Sequence, residues 1–177
     1  MKPDALIVID VQQGLTDMHP YQEETVIGNI QKLIAACRKA GVPVIYVQHE
    51  ETEAGGLVRD TPAWQVDSRI APQDSDARFY KNVNSAFRGT GLHEHLQALG
   101  AHNLLLCGMQ TEYCVDVSCK VAFELGYSVT LPRGGTTTYD NRLFKAQDLI
   151  KYYEYFIWAG RLAKTAPMDT LLSELGA

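Results

Sequence analysis

Three side chains of this sequence have the chemistry needed for a hydrolytic centre. Asp10 directly follows the apolar run Ala5–Ile9, Lys81 follows a long polar segment, and Cys114 stands where an apolar run gives way to a helical pattern. A deprotonated thiol is a strong nucleophile, a nearby carboxylate can take its proton, and an ammonium group keeps that carboxylate ionised. Together the three residues would form a catalytic set for attack on a carbonyl carbon.

Cys114 is the best-placed nucleophile, because it would lie in the first turn of a helix. A helix N-terminus presents free N–H groups and a partial positive charge, which favour a thiolate and can hold an oxyanion. The alternatives are ordinary ones: a free cysteine is most often a small buried apolar residue. Asp10 alone could be a turn residue and Lys81 a surface charge, so the hypothesis depends on the three side chains converging.

The elements that must position these residues alternate between strand and helix patterns. Short apolar runs predict strands at 5–9, 44–47, 103–107 and 128–131, and helical spacing predicts helices at 21–40, 92–99, 114–125, 141–156 and 168–175. This alternation predicts one α/β domain over residues 1–177, with a doubly wound parallel sheet, helices on both faces and a ligand crevice at the carboxyl ends of the strands.

Further residues are candidates for contact with a substrate. His49 ends the second predicted strand, and the long segment that follows it contains Gly55, Gly56 and Trp64. Such a segment is longer than a simple connection between two elements, so we expect it to form a lid or a pocket wall. Trp64 would either line the pocket or anchor the segment to the rest of the domain. The other histidines are better explained as surface or locally bonded residues.

Composition excludes several classes of function. The net charge is −5 and no run of Lys or Arg forms a basic stripe, so a nucleic-acid partner is not expected. The apolar runs are far shorter than the ~20 residues of a membrane span, and the N-terminal residues do not resemble a signal or transit peptide. Four cysteines without a C-x-x-C pair suit reduced thiols, so we expect a cytoplasmic protein. No dinucleotide or phosphate-binding motif is present, so no cofactor is expected.

Three motifs, taken in order, resemble the isochorismatase-like cysteine hydrolase superfamily, which includes nicotinamidases, carbamoylsarcosine amidohydrolase and isochorismatase. The motifs are LIVIDVQ ending at Gln12, YKNVNSAF beginning at Tyr80, and GMQTEYCV containing Cys114. The resemblance implies a six-stranded Rossmann-like three-layer fold with Asp10, Lys81 and Cys114 as catalytic triad. It also implies a cis peptide bond between Met109 and Gln110, and an oxyanion hole made by the Gln110 and Cys114 amides. Gln12 and Tyr80 become candidates for substrate binding.

The resemblance also bears on metal binding and on the reaction. Metal-containing members of the superfamily carry an Asp-x-His element after the second strand, whereas this chain has Gln48-His49-Glu50, so we expect no metal. The leading interpretation is a metal-independent hydrolase that cleaves a small-molecule amide or related C–N bond through a Cys114 thioester. The alternatives are a vinyl-ether hydrolase of the isochorismatase type and a catalytically silent binding protein. A homo-oligomer, dimer or tetramer, is expected; the aromatic residues at 152–158 would form an interface or an ordinary core edge.

Overall fold

A computed structural model describes residues 2–52 and 56–176. The strands are β1 (Ala5–Ile9), β2 (Val44–His49), β3 (Ala77–Lys81), β4 (Asn103–Met109), β5 (Ser128–Pro132), β6 (Thr136–Thr137) and β7 (Lys164–Ala166). The helices are α1 (Gln13–Thr16), α2 (Glu23–Lys39), α3 (Leu92–Ala98), α4 (Asp116–Glu124), α5 (Ala146–Tyr152) and α6 (Met168–Glu174). Single π-helical turns, Thr111–Val115 and Tyr153–Ile157, precede α4 and follow α5.

The strands form one parallel sheet, as the alternation predicted. Six of them lie in the order β3-β2-β1-β4-β5-β7, and the two-residue β6 pairs with β4 beside this path. The sheet therefore has seven strands instead of the expected six. From β1 the chain runs outward through β2 and β3, then returns to β4 on the other side of β1, so β1 and β4 flank the point where strand order reverses. A ligand crevice is expected at that point.

Helices cover both faces of the sheet. Alternate residues of β1 divide between the two cores: Leu6 and Val8 pack with α2 and α6, whereas Ile7 and Ile9 pack with α3 and α4. All five residues of β1 are buried, which explains its uninterrupted apolar run. No helix in the described part of the chain is both long and apolar enough to span a bilayer.

Two predicted elements differ from the observed ones. The helix expected over 141–156 begins at Ala146, because Asp140 accepts a hydrogen bond from the Ala146 amide and Asn141 accepts hydrogen bonds from the Leu143 and Phe144 amides. These local bonds compete with a helix upstream of that point. The long segment after β2 contains 3-10 turns at Pro62–Trp64 and Ser68–Ile70; its residues 53–55, including Gly55, lie outside the described part.

Candidate active site

Asp10 leaves β1 in an uncommon backbone conformation. Its φ is +51°, in the left-handed region that non-glycine residues seldom adopt, and its carboxylate is almost fully buried. Gly108 lies beside it on β4, where a Cβ would come within 2.0 Å of the Ile9 carbonyl oxygen. Only glycine therefore lets the two strands run side by side at this point.

Lys81 ends the neighbouring part of the sheet, at the last position of β3. Its side chain has no exposed surface, and its Nζ lies 2.6 Å from Asp10 Oδ2. Because β2 separates β3 from β1, the length of the lysine side chain is what brings the two charges together. A buried ion pair of this kind is weak evidence for stability, since desolvation offsets most of the attraction. It is better explained by a role in the site.

Cys114 lies in the π-helical turn that follows β4. Its Sγ is 3.3 Å from Lys81 Nζ and 3.7 Å from Asn84 Oδ1. Cys114 is partly exposed, whereas Cys37, Cys107 and Cys119 are buried in the cores. The structure thus brings Asp10, Lys81 and Cys114 into one cluster at the carboxyl ends of the strands.

The electrostatics of the cluster keep the thiol protonated at rest. Burial, reinforced by the negative charge of Asp10, raises the pKa of Cys114 to about 12, and Lys81 opposes this only in part. Burial also raises the pKa of the Asp10 carboxyl above its usual range, against the opposing charge of Lys81. A carboxylate with a raised pKa is a stronger base toward that thiol.

His49, at the end of β2, completes the surroundings of the ammonium group. Its Nδ1 lies 3.0 Å from Lys81 Nζ, and its Nε2 lies 3.7 Å from Glu51 Oε1. Gln12 fixes the His49 backbone from behind by accepting a hydrogen bond from its amide and donating one to its carbonyl oxygen. His49 therefore lies within the cluster, in contact with Lys81, and its backbone is hydrogen-bonded to Gln12.

A cavity of about 170 Å³ opens in front of the thiol. It is lined by residues of the cluster and of several loops: Asp10, Leu15, His49, Glu51, Leu57, Asn84, Met109, Gln110, Tyr113 and Cys114. The long segment after β2 contributes Glu51 and Leu57, so it supplies part of the pocket wall. Asn84 and Tyr113 were not singled out from the sequence, although each lies within one of the two motifs that carry a catalytic residue.

The remaining candidate residues lie behind or beside the cavity. Gln12 is fully buried and donates to the Trp64 carbonyl oxygen, and Trp64 is itself buried. The Tyr80 ring packs at 5.4 Å from the Trp64 ring and under the guanidinium of Arg59, in a separate cavity of about 350 Å³. Trp64 thus pins the long segment down, which was the second of its two expected roles.

The peptide bond between Met109 and Gln110 is cis. Both residues line the cavity next to Cys114. The Gln110 side chain donates to Thr138 Oγ1, and Thr138 in turn donates to Glu112. These contacts hold Gln110 at the edge of the site, where its backbone amide and that of Cys114 are the expected oxyanion donors.

The residues present do not fit a resident metal ion. Within 2–52 and 56–176, one group of His, Cys and acidic side chains comes close enough to share an ion, namely Asp10, His49 and Cys114, whose ligand atoms lie within 4.8 Å of one another. The ammonium of Lys81 already lies among these three side chains. The neighbouring Gln48 is buried and donates a hydrogen bond to the Trp64 carbonyl oxygen, and it stands where the metal-containing members of the superfamily carry an aspartate.

Comparisons with known proteins agree on one family. A family model described as an isochorismatase domain matches residues 4–161. The chain is 31% identical over 138 residues to a streptothricin hydrolase from Streptomyces noursei, covering 77% of this chain and 50% of that protein. It therefore spans about half the length of that relative.

Two further proteins are similar over most of the chain. An N-carbamoylsarcosine amidase from an Arthrobacter species is 30% identical over 151 residues, which cover 73% of this chain and 57% of the amidase. The crystal structure of an isochorismatase from Pseudomonas putida KT2440 superposes with a TM-score of 0.89 at 29% identity, covering 94% of this chain and 89% of that one.

Proposed function

The chain belongs to the isochorismatase family, and from this we propose that it is a metal-independent cysteine hydrolase that cleaves a small-molecule amide or related C–N bond through a Cys114 thioester. One observation carries the proposal: a single buried ammonium, Lys81 Nζ, lies within 2.6 Å of Asp10 Oδ2 and 3.3 Å of Cys114 Sγ. It can stabilise a negative charge on either atom. A proton can therefore move from sulfur to carboxylate without leaving an uncompensated buried charge.

The proposed reaction has two halves. Asp10 takes the Cys114 proton as sulfur attacks the substrate carbonyl, and the Gln110 and Cys114 amides hold the developing oxyanion. The protonated Asp10 then gives its proton to the leaving nitrogen, which departs as an amine and leaves an acyl group on sulfur. In the second half, Asp10 takes a proton from water, the hydroxide attacks the thioester, and Asp10 returns the proton to the thiolate.

The cavity limits the substrate to a small molecule. Its volume of about 170 Å³ lies below the roughly 300–1,000 Å³ of sites for drug-sized ligands. Apolar contacts come from Leu15, Leu57 and Met109, and polar contacts from Asn84 and His49. This lining suits a compact carboxamide or urea-like group with a short apolar portion. Two related proteins carry names that denote hydrolases, one of them an amidase.

The two alternatives predict different dependence on the thiol. A vinyl-ether hydrolase needs an acid at Asp10 but no sulfur nucleophile, so its activity would persist in the Cys114→Ala variant. A silent binding protein would retain ligand affinity without turnover. The close contact of Cys114 with the Lys81 ammonium favours the hydrolase, because an acid-only mechanism gives that contact no function.

The test is a screen of small carboxamides, carbamoyl compounds and isochorismate, with release of ammonia or carboxylic acid as readout. We expect turnover of at least one C–N substrate, loss of that turnover in Cys114→Ala, and full activity after exhaustive chelation. Turnover of isochorismate by Cys114→Ala would support the vinyl-ether alternative. Loss on chelation with recovery on adding zinc would overturn metal independence.

The expected assembly and location remain proposals. We propose that the chain forms a homo-oligomer through the exposed aromatic surface of Tyr152, Tyr155 and Phe156, whose side chains are half or more exposed. Light scattering would report the mass, and Phe156→Asp should shift it toward the monomer.

We also propose a cytoplasmic location, which the four free cysteines support.

A further inference from the structure

The Lys81 ammonium has three N–H groups, and three polar atoms of other side chains lie around it, one in an ion pair and two in hydrogen bonds. Asp10 Oδ2 lies at 2.6 Å, His49 Nδ1 at 3.0 Å and Cys114 Sγ at 3.3 Å. The side chain has no exposed surface. The position of the ammonium is therefore defined by these three contacts, two of which come from the groups that exchange the proton.

We propose that His49 is a positioning residue: its Nδ1 accepts one N–H of Lys81 and so holds the ammonium against Cys114 Sγ. This inference rests on the proposed function and extends it to a fourth residue. Without His49, the ammonium is free to turn toward Asp10, which is the closer partner and carries the negative charge before the proton moves. The ammonium would then not be in place beside Cys114 Sγ when the proton passes to Asp10 and the charge appears on sulfur.

The arrangement requires one tautomer of His49. Nδ1 must be unprotonated to accept from an ammonium, so the ring proton lies on Nε2. The Glu51 carboxylate lies on that side of the ring, with Oε1 3.7 Å from Nε2, where it favours a proton at that atom. The two nitrogens thus face groups of opposite character, an ammonium donor and a carboxylate acceptor.

The ring is neutral at pH 7 in these surroundings. Burial and the positive charge of Lys81 lower the pKa of His49, whereas Asp10, Glu51 and Glu50 act in the opposite direction. A neutral ring can accept a hydrogen bond, whereas a protonated ring cannot. The two hydrogen bonds between Gln12 and the His49 backbone keep the ring in register with Lys81.

A matched pair of variants separates the acceptor from the shape of the side chain. The test uses His49→Asn and His49→Leu. Asparagine and leucine side chains have nearly the same shape, but the asparagine carboxamide can place an acceptor close to the position of Nδ1. We expect His49→Leu to lower kcat and the rate of Cys114 alkylation by iodoacetamide by about 10-fold or more, since lost hydrogen bonds to charged groups have effects of that size. His49→Asn should retain most of both rates.

Two results would overturn the proposal. One is wild-type rates in His49→Leu; the other is a folded His49→Asn as impaired as His49→Leu, which would assign the role to the ring itself. Thermal unfolding of both variants checks the fold. If His49→Leu does not fold, the His49→Asn rates and the spectrum below still decide.

A third measurement uses the unsubstituted protein. Long-range proton–nitrogen correlation spectra of the histidine rings should show His49 as the Nε2–H tautomer at pH 7, with His49→Asn used to assign the signal. The Nδ1–H tautomer would contradict the proposal. Alkylation and the tautomer do not need a substrate, so the His49 assignment can hold even if no amide is cleaved. The converse result is amide hydrolysis that depends on Cys114 while His49→Leu is unimpaired. That result would overturn the His49 proposal and leave the proposed function standing.

Discussion

At the amino ends of β4 and β5 the sheet carries an open groove of about 570 Å³, whereas the cavity at the carboxyl ends of β1 and β4 measures only about 170 Å³. The groove is lined mainly by apolar side chains such as Phe123 and Leu162, and its Lys164 is 60% exposed at the side chain. The smaller cavity is lined by Asp10 and Cys114, and Lys81 is buried in contact with both. The volume of a cavity therefore does not identify the candidate active site.

The difference follows from the topology of the sheet. Strand order reverses between β1 and β4, so the loops after these strands diverge and leave a crevice at their carboxyl ends. The loops there also carry the unusual backbone at Asp10 and at the Met109–Gln110 bond. At the amino ends, charged groups remain in contact with water, and surface ion pairs such as Lys164 with Glu174 contribute little. We therefore propose that the fold separates a reactive end, at the carboxyl ends of β1 and β4, from an inert end, at the amino ends of β4 and β5.

The largest expected effect tests the reactive end at Asp10. Asp10→Asn removes the group that moves protons in both halves of the reaction, so kcat should fall by about 10,000-fold or more, the upper end for acid–base catalysis. The Asp10 charge raises the pKa of Cys114, so its removal should leave iodoacetamide labelling of Cys114 at pH 8 as fast as before or faster. Substantial turnover in Asp10→Asn would mean that the proton takes another route.

Lys81 should show a large but smaller effect that depends on geometry. Lys81→Arg keeps the charge, but a planar guanidinium cannot direct three donors to acceptors at 2.6, 3.0 and 3.3 Å in a site without exposed surface. We expect kcat to fall by roughly 100-fold, the size of effect that a misplacement of about 1 Å can cause. Lys81→Ala, as the control, should also slow Cys114 labelling, because the compensating charge is gone. Equal turnover in Lys81→Arg and wild type would show that charge alone suffices.

The pH dependence gives an intermediate effect. Asp10 must be ionised to accept the thiol proton, and burial raises its pKa. As the pH is lowered, activity should therefore be lost at a pH above 3.8, which is the pKa of an ordinary aspartate. Labelling of Cys114 should keep increasing with pH without a plateau up to pH 10, because the pKa of its thiol is about 12. A labelling plateau near pH 7 would indicate a resting thiolate and contradict this electrostatic account.

The smallest effect is expected at the inert end. Phe123 is 43% exposed and lines the large groove. Phe123→Ser should change kcat/KM by less than about twofold, as surface substitutions away from a site commonly do. Steady-state kinetics on the substrate found in the screen measures this. A large loss of activity would show that the two ends of the sheet are functionally coupled.

The sequence predicted the interior of the fold better than its edges. β1 and β4 are buried on both faces and appear as apolar runs, so their positions could be read directly. β3 and β7 lie at the two edges of the sheet. Most residues of β3 are partly exposed, and β7 has only three residues. These strands lack an apolar run, so the apolar pattern of the sequence does not predict them.

The site was predictable in its residue types but not in its electrostatics. Asp10, Lys81 and Cys114 follow from motifs at strand ends, because topology brings the carboxyl ends of parallel strands to one edge. The sequence could not show that Gln12 binds the His49 backbone, or that His49 faces the Lys81 ammonium. These contacts join two strands and the segment after β1, which are far apart in the sequence, and local spacing contains no information about them. The raised pKa of Cys114 likewise depends on burial by distant segments.

The most direct test of the central claim is to trap the acyl group on the enzyme. Enzyme mixed with a slow amide substrate is quenched in acid within the first turnover and digested, and its peptides are weighed by mass spectrometry. The account predicts an added mass equal to the acyl portion of the substrate on Cys114, removed by hydroxylamine, absent in Cys114→Ala and absent from Cys37, Cys107 and Cys119. Turnover that proceeds with no adduct on Cys114 and persists in Cys114→Ala would contradict it.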